Sequence, residues 1–414
     1  MDPVDRLMQL SAAMEFEPDG ERSEPLPPLR DPSVSEVGPT PSAAVGTLGG
    51  CGFGTVEPAA ACAPKMSGLP ITHAVMPGGK TIKLLKTLQT SACENDCYYC
   101  CFRARRDFRR TTFTPDEMAQ AFMNLYRAGE VEGLFLSSGV AGGGVRTQDK
   151  ILATAEILRR KRGFRGYIHL KIMPGAERAQ VEQAMRLADR VSINLEAPNT
   201  NRLARLAPHK VFMEELLRPL EWVEQVRRTQ PAHQAWNRRW PSTTTQFVVG
   251  GAGESDLELL GTTAFLNRQV HLARAYYSRF KPVRDTPLEN LPAENPWREH
   301  RLYQASFLLR DYGFDVEELP FEGAGNLPLG VDPKLEWARQ HLSEQPVEIN
   351  RADRHELLRI PGIGPKSAGT ILAARTKGRL RTLGDLRAAG VLVNRAAPFL
   401  LLDGCAAPRQ LPLF

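Results

Sequence analysis

From Lys80 onward the apolar positions of the chain alternate between two periods. Short runs rich in β-branched and apolar residues lie at 80–90 (KTIKLLKTLQT), 133–138 (GLFLSS), 167–173 (YIHLKIM), 190–197 (RVSINLEA), 243–250 (TTTQFVVG) and 273–280 (ARAYYSRF), and read as strands. The segments between them have a 3.6-residue apolar period and start near Pro115, Gln148, Ala176, Phe212 and Asp256, as helices do. Thr114, followed by Pro115 and by Glu117 three residues on, has the pattern of a capping box. Six strands alternating with helices predict an α/β fold with a parallel sheet and right-handed crossovers, either doubly wound or curled into a barrel. Periodicity does not choose between the two.

The ends of the chain follow other patterns. Val4, Leu7, Met8, Leu10 and Met14 give residues 3–16 a helical stripe. From Asp19 to about Leu69 the sequence is rich in Pro, Gly and Ala, with few large apolar residues, and is expected to be mobile. Beyond the last strand, INRADRHELLRIPGIGPKSAGTILAAR at 349–375 reads as two amphipathic helices around a tight hairpin. The expected units are therefore an N-terminal helix with a Pro/Gly-rich segment (1–69), a barrel or sheet domain (70–344), a small all-α module (345–405) and a C-terminal tail (406–414).

With 414 residues, the chain has room for two or three domains. Its 53 basic and 47 acidic residues leave a net charge of +6. Between Pro365 and Arg409 eight basic residues face only Asp385 and Asp403, so this segment carries the whole surplus and suits a polyanion. Seven cysteines, four of them within residues 93–101, do not make a disulfide framework and fit a reducing cytosol. No basic leader precedes an apolar run and no stretch of eighteen apolar residues occurs, so a cytoplasmic protein is expected. Cys51 and Cys62, separated by ten residues, read as inert cysteines of the loose segment.

The chemistry is concentrated in CENDCYYCC, residues 93–101. Cys93, Cys97 and Cys100, spaced C-x3-C-x2-C, let one loop aim three thiolates at a common point, as an iron–sulfur cube requires. Three cysteines with a distant fourth ligand also suit structural zinc. With Tyr99 just before the third cysteine, the stretch resembles the motif of the radical S-adenosylmethionine (radical SAM) superfamily. That resemblance implies a (β/α)6 partial TIM barrel with the cluster loop after the first parallel strand. It also implies a [4Fe–4S] cluster whose open iron chelates the amino and carboxylate groups of S-adenosylmethionine, SAM for short, and an electron donor of the flavodoxin or ferredoxin type. SAM is then cleaved to methionine and a 5′-deoxyadenosyl radical.

Other residues take roles from that resemblance and from their place at strand ends, where parallel α/β folds collect their chemistry. Ser137, Ser138 and Gly139 stand where the superfamily contacts the SAM amino group, but their side chains depart from its motif, so only the backbone role carries over. Ser192, Asn194 and Glu196 alternate onto one face of the 190–197 strand and suit ribose hydroxyls. Gly250, Gly251 and Glu254 hold the places of a segment that backs the adenine, with Tyr99 offering a second surface. The triple glycine at Gly142 to Gly144 reads as a flexible turn, since no Lys-Ser or Lys-Thr pair follows. Arg103, Arg105, Arg106, Arg109, Arg110, His169, Lys171, Arg202, Arg205, His209 and Lys210 suggest a basic rim for a substrate with phosphates. Tyr276, Tyr277, Trp236 and Trp240 are candidates for stacking on a base, and Cys101, Tyr276 and Tyr277 are the only candidates for a catalytic side chain beyond the cluster.

The IPGIGPK hairpin matches the helix-hairpin-helix DNA-binding motif, in which Gly362 and Gly364 let backbone amides approach a phosphate while Lys366, Arg375 and Lys377 add charge. A degenerate second copy runs from Leu383 to Leu401 around Ala389, Gly390 and Val391. Together with the runs EGLFLSSGV, GYIHLKIMPGA and REHRLYQASFLLRDYGF, these features resemble the DNA modification/repair radical SAM proteins across nearly the whole chain. The function implied is repair or modification of nucleotides in DNA. An RNA-modifying enzyme of the same chemistry and a DNA-binding iron–sulfur scaffold stay open. The tail Gln410-Leu411-Pro412-Leu413-Phe414 resembles the peptide by which bacterial repair proteins dock on the sliding clamp, Gln410, Leu411, Leu413 and Phe414 being its anchors.

Overall fold

A computed structural model of the chain describes residues 3–12, 14, 26, 71–75 and 81–406. Cys51, Cys62 and the clamp-peptide residues Gln410, Leu411, Leu413 and Phe414 lie outside the described residues. A helix α1 (Pro3–Ala12) is followed by a seven-stranded sheet with strands in sequential order: β1 (Ile71–Val75), β2 (Thr81–Leu88), β3 (Gly133–Ser137), β4 (Tyr167–Lys171), β5 (Arg190–Ser192), β6 (Ser242–Val249) and β7 (Arg274–Arg279). β1 pairs antiparallel with β2, and every later pair is parallel. Each crossover thus steps one strand on in the same direction, which a doubly wound sheet does not do. The helices α2 (Pro115–Arg127), α3 (Gly144–Glu156), α4 (Arg178–Leu187), α5 (Thr200–Leu206), α6 (Arg218–Thr229) and α7 (Asp256–Gln269) collect on one face, and the sheet curls around the other as a half-barrel.

The side chains say which face is which. Tyr277 of β7 is fully buried, stacks on Phe247 of β6 and shares a hydrogen bond with Thr263 of α7. The outer face of the sheet is mostly apolar, with Leu85, Leu134, Leu136, Ile168, Leu170 and Val191 all fully buried, and Thr87, Thr243 and Thr245 buried among them. The expected capping box forms: the Glu117 amide donates to Thr114 Oγ1 at 3.3 Å and the Thr114 amide to Glu117 Oε2 at 2.8 Å. Arg6 of α1 pairs with the same Glu117 at 2.8 Å, and Leu7, Leu10 and Met14 join the barrel core. The terminal helix is therefore part of the domain wall.

The structure departs from the sequence reading in four places. β5 ends at Ser192, not at Ala197, because the Thr245 hydroxyl enters the ladder. It accepts from the Leu195 amide and donates to the Ile193 carbonyl, so the chain rejoins β6 only at Glu196, whose φ is 65°. The helix expected near Gln148 starts at Gly144, and β1 was too short and irregular a signal to read.

The fourth departure is the C-terminal module, which is not all-α. After α8 (Pro296–Asp311) and α9 (Pro333–His341) come β8 (Val347–Glu348), α10 (Arg354–Arg359), α11 (Pro365–Arg375), α12 (Leu383–Ala388), α13 (Val393–Ala396), β9 (Leu400–Leu402) and β10 (Cys405–Ala406). β8 to β10 form a small sheet, closed by a tight Asp403-Gly404 turn with positive φ at both residues. Strands of two or three residues carry no readable period. The module has its own core, from Ala338 of α9 to Leu402. It meets the barrel through Arg359, which donates to the Tyr312 and Gly313 carbonyls and pairs with Glu318 at 2.7 Å. No helix among the described residues is long and apolar enough to cross a membrane.

Candidate functional site

The cysteine loop leaves the carboxyl end of β2, and its neck is stitched before the cysteines begin. Ser91 N donates to Thr111 O at 2.9 Å and Phe113 N to Gln89 O at 3.0 Å. Within the loop the Arg110 guanidinium donates to four carbonyls, those of Ser91 (2.8 Å), Phe102 (2.6 Å), Arg103 (2.8 Å) and Arg106 (3.2 Å), and lies 3.8 Å from the Phe108 ring centroid. Arg106 donates to the Cys101 carbonyl at 3.0 Å and reaches Arg284 O at 3.0 Å. Two members of the expected phosphate rim are thus the internal frame of the loop. Gly139 must be glycine, because a Cβ there would sit 2.3 Å from the Ala92 carbonyl oxygen.

Cys97 is buried, while Cys93 and Cys100 are half-buried, and all three are free thiols. Burial pushes the Cys97 thiol up to about 12 and raises Cys93, to which a charge on Cys100 adds. Cys100 moves the other way, helped first by a hydrogen bond from Cys101 and then by the Phe102 amide at 3.4 Å. Three thiols close enough to act on one another, in surroundings that resist free thiolates, are matched by iron, which deprotonates its thiol ligands outright. The residues present fit a [4Fe–4S] cluster on Cys93, Cys97 and Cys100. Among the described residues no three His, Cys, Asp or Glu side chains converge as the ligands of a single metal ion do. Cys101 is buried beside them.

Below the loop lies a pair whose partnership cannot be read from the sequence. Lys210 Nζ and Glu196 Oε1 are 3.0 Å apart with both side chains almost wholly buried. Burial opposes the Glu196 charge, but Lys210 and then Lys171 outweigh it and hold the carboxyl below its usual range. Lys210 is raised against the same burial by Cys97 and Glu196. Glu196 Oε2 is buried with no hydrogen-bond partner. The loop after α5 also holds the cysteine loop directly, through Tyr98 N to Leu206 O (2.7 Å) and His209 Nδ1 to Asp96 Oδ1 (2.6 Å). Tyr99 packs half-buried against the barrel core, and burial raises its hydroxyl pKa far above the ordinary value.

The remaining residues divide clearly. The amides of Gly142 and Gly143 donate to Glu94 at 3.1 and 2.8 Å, so this glycine turn is closed by the chain's own carboxylate. Ser137 and Ser138 are buried, Ser138 Oγ donates to Gly139 O, and the Gly139 amide serves Thr90 O at 2.7 Å. Glu254 accepts from the Gly250 and Ala252 amides, and with Asp256 and Glu294 it surrounds Arg298. Gly251 packs against Leu206 and Phe280. Arg202 pairs with Glu258 at 3.0 Å and Arg205 donates to Ala252 O. Arg105 and Arg109 are exposed. Ser192 bonds His169 at 2.8 Å and Asn194 bonds Lys171. Tyr276 faces the concave side, where its hydroxyl meets Arg190 at 3.4 Å, whereas Tyr277 lies on the helix side, away from the mouth. Trp236 and Trp240 precede β6 and sit at the opposite end of the barrel, Trp236 under the Arg159 guanidinium.

In the C-terminal module, α10 and α11 flank Pro361 to Gly364, and α12 and α13 form a second hairpin behind it. Gly362 has a φ of 85°, and a Cβ on it would lie 2.5 Å from the Leu392 carbonyl of that second hairpin. Gly364 caps α11, and Lys366 and Lys377 are exposed. Arg375 is held at the Ala352 carbonyl at 2.5 Å. A cleft of about 690 Å³ lies at the N-terminus of α11, between Gly364, Pro365 and Lys366 and the barrel's Arg310 and Asp311.

Residues 88–266 match the model of the Radical SAM superfamily. No functionally curated protein shows significant similarity to the chain. Among solved structures it is similar to HydG, a maturase of the [FeFe]-hydrogenase (12% identity, TM-score 0.43, covering 55% of this chain and 49% of that one). It is also similar to HydG from Carboxydothermus hydrogenoformans (14%, TM-score 0.41, 55% and 51%) and to methylornithine synthase PylB (15%, TM-score 0.42, 55% and 62%). The chain thus spans about half the length of the first two. The match over residues 88–266 covers the cysteine loop and β3 to β6, and the superfamily uses a [4Fe–4S] cluster and SAM.

Proposed function

We propose that this chain, whose residues 88–266 form a radical SAM superfamily domain, is a radical SAM enzyme acting on a nucleotide within DNA, in repair or modification. The observation that carries the reading is the pairing of a three-thiol loop at the mouth of the half-barrel with a glycine hairpin that opens α11 beside the barrel's own Arg310. Cys93, Cys97 and Cys100 hold the cluster. When bound, cluster and SAM together supply reductive cleavage of SAM to methionine and a 5′-deoxyadenosyl radical, which takes a hydrogen atom from the substrate.

The chain's own residues position and exclude. Arg110 and Arg106 keep the loop closed over the barrel mouth, while Glu94 ties it to the turn after β3. Glu196 Oε2, buried and without a partner, is suited to accept from a SAM amino or ribose hydroxyl group, with Lys210 keeping the carboxylate charged. Tyr99 presents an aromatic surface beside it. Exposed Lys366 and Lys377 and the amides around Gly364 suit duplex phosphates, which gives binding without sequence readout. An electron donor of the flavodoxin or ferredoxin type serves the cluster in the cell.

The test is direct. Anaerobically reconstituted protein with dithionite should convert SAM to 5′-deoxyadenosine, and deuterium from labelled DNA should enter that product. Transfer from labelled RNA and not from DNA would reassign the substrate, and no SAM cleavage at all would leave an iron–sulfur scaffold. Removing residues 346–414 should preserve SAM cleavage and weaken duplex binding at moderate salt.

A further inference from the structure

We propose that the buried Lys210–Glu196 pair beneath the cysteine loop sets the reduction potential of the cluster, the Lys210 ammonium facing the three thiolates and the Glu196 carboxylate anchoring it. The inference rests on the cluster assignment to Cys93, Cys97 and Cys100 and is independent of whether the substrate is DNA. Lys210 is brought to the cysteines by bonds on both sides of Cys97. Tyr98 N donates to Leu206 O at 2.7 Å and His209 Nδ1 meets Asp96 Oδ1 at 2.6 Å. The neighbours of Cys97 are thus tied to the turn that ends in Lys210, whose own amide donates to Ala207 O at 3.0 Å. Glu196 is fixed by β6: at a φ of 65°, its amide donates to Gln246 O at 2.9 Å and its carbonyl accepts from Val248 N at 2.8 Å. Neither charge can retreat to water, because the side chains of Lys210 and Glu196 are only 9% and 5% exposed at their 3.0 Å contact.

The electrostatics give the orientation of the pair. Burial raises the Cys97 thiol, and the next influence in size is Lys210, which lowers it and outweighs the opposing charge of Glu196. Cys100 is lowered first by its bond from Cys101, and there too Lys210 counts for more than Glu196. Burial raises Cys93 as well, and Lys210 opposes it. The positive end of the pair is therefore nearer the thiols than the negative end. Lys171 also acts on Glu196, but its own ammonium is bonded to Asn194. One-electron reduction adds one negative charge to the group that Cys93, Cys97 and Cys100 hold. A cation fixed beside that group, away from water, stabilises the reduced form more than the oxidised one and so raises the potential. Glu196 acts in the opposite sense from further off, and it holds the ammonium in one place.

The experiment follows the EPR signal of the full-length, anaerobically reconstituted protein through a reductive titration with dithionite in the absence of SAM. At a fixed solution potential, Lys210→Met should lower the ratio of reduced to oxidised cluster at least tenfold, which for one electron is a midpoint about 59 mV lower. Glu196→Gln should shift the midpoint upward, Lys210→Arg should stay near wild type, and the double variant Lys210→Met with Glu196→Gln should fall between the two single ones. A pair that only packs would not give shifts of opposite sign. Iron and labile sulfide are measured on every sample. Lys210→Met strands a buried carboxylate. If that variant does not retain its iron, Glu196→Gln decides: a higher midpoint supports the inference, and an unchanged or lower one overturns it. An unchanged midpoint in Lys210→Met with full iron, or single variants that shift in the same direction, overturns it equally. Wild-type protein that holds no cluster removes the ligand assignment and this inference with it. A normal cluster with the expected shifts but no response to DNA leaves this inference standing while the DNA reading falls.

Discussion

Replacing Arg110 tests whether the cysteine loop is preorganised by its own arginine. The guanidinium holds four carbonyls at 2.6 to 3.2 Å and stacks on Phe108, and no other side chain spans the loop in this way among the described residues. Hydrogen bonds to a charged donor are each worth about 1.5–3 kcal/mol when measured singly. Because the side chain is half-buried and the four share one donor group, about 2–4 kcal/mol for the set is the reasonable sum. The loop can open without unfolding the barrel, so this energy is subtracted from cluster retention rather than from global stability. At about 1.4 kcal/mol per decade it amounts to a roughly 30- to 1,000-fold weaker hold on iron. Arg110→Met and Arg110→Lys should therefore reconstitute with low iron and sulfide and lose what they hold quickly to a chelator, while thermal unfolding of the barrel changes little. Lysine should fail as methionine does, since one ammonium cannot reach four carbonyls. Wild-type iron content with wild-type resistance to chelator would refute the reasoning.

Other outcomes follow from the same contacts. Cys93→Ala, Cys97→Ala and Cys100→Ala should each abolish the brown absorbance and SAM cleavage, whereas Cys101→Ala should keep its iron; full iron without Cys97 would overturn the ligand assignment. Arg298→Met should destabilise the barrel by about 3–5 kcal/mol in urea unfolding, because it strands Asp256 and Glu254, both buried, without their cation. Lys334 donates to the Ile363 carbonyl at 2.6 Å, and burial holds its pKa down to about 7 from an ordinary 10.5. The unfolded chain thus binds an extra proton between these values, so stability should rise by a few kcal/mol from pH 7 to pH 10 and be flat below about pH 7. In Lys334→Met the rise should vanish, and a rise that persists would show that another group is responsible.

How much of this was legible depends on whether the partners are close in sequence. Cys93, Cys97 and Cys100 lie in one loop, so their spacing alone is enough to suggest a cube, and Thr114 with Glu117 announces a helix start for the same local reason. The strands showed because those of a half-barrel are covered on both sides, as β3 is at all five positions. The arginines were the opposite case. Residue type declares a charge, but Arg110 and Arg106 spend theirs on carbonyls, and Arg202 on Glu258, 56 positions away, so a basic rim was read where the side chains form a frame.

The concave face lies between these cases. Polar residues two apart are visible in His169 and Lys171, in Arg190 and Ser192, and in Ser242, Thr244 and Gln246, but sequence cannot say that they share a face. A slip of one residue in β4 would turn its basic pair toward the helices. Register is what converts scattered polar positions into one surface: Lys171 opposite Ser192, Ser192 opposite Thr244 and Thr244 opposite Arg274. The helix-side neighbours Leu170, Val191 and Ala275 are buried against the barrel core, which anchors that register at each strand. The packing that stabilises the barrel is therefore also what aligns its inward polar rungs, and an outer-face change such as Val191→Ser should disturb them only to the extent that it loosens β5.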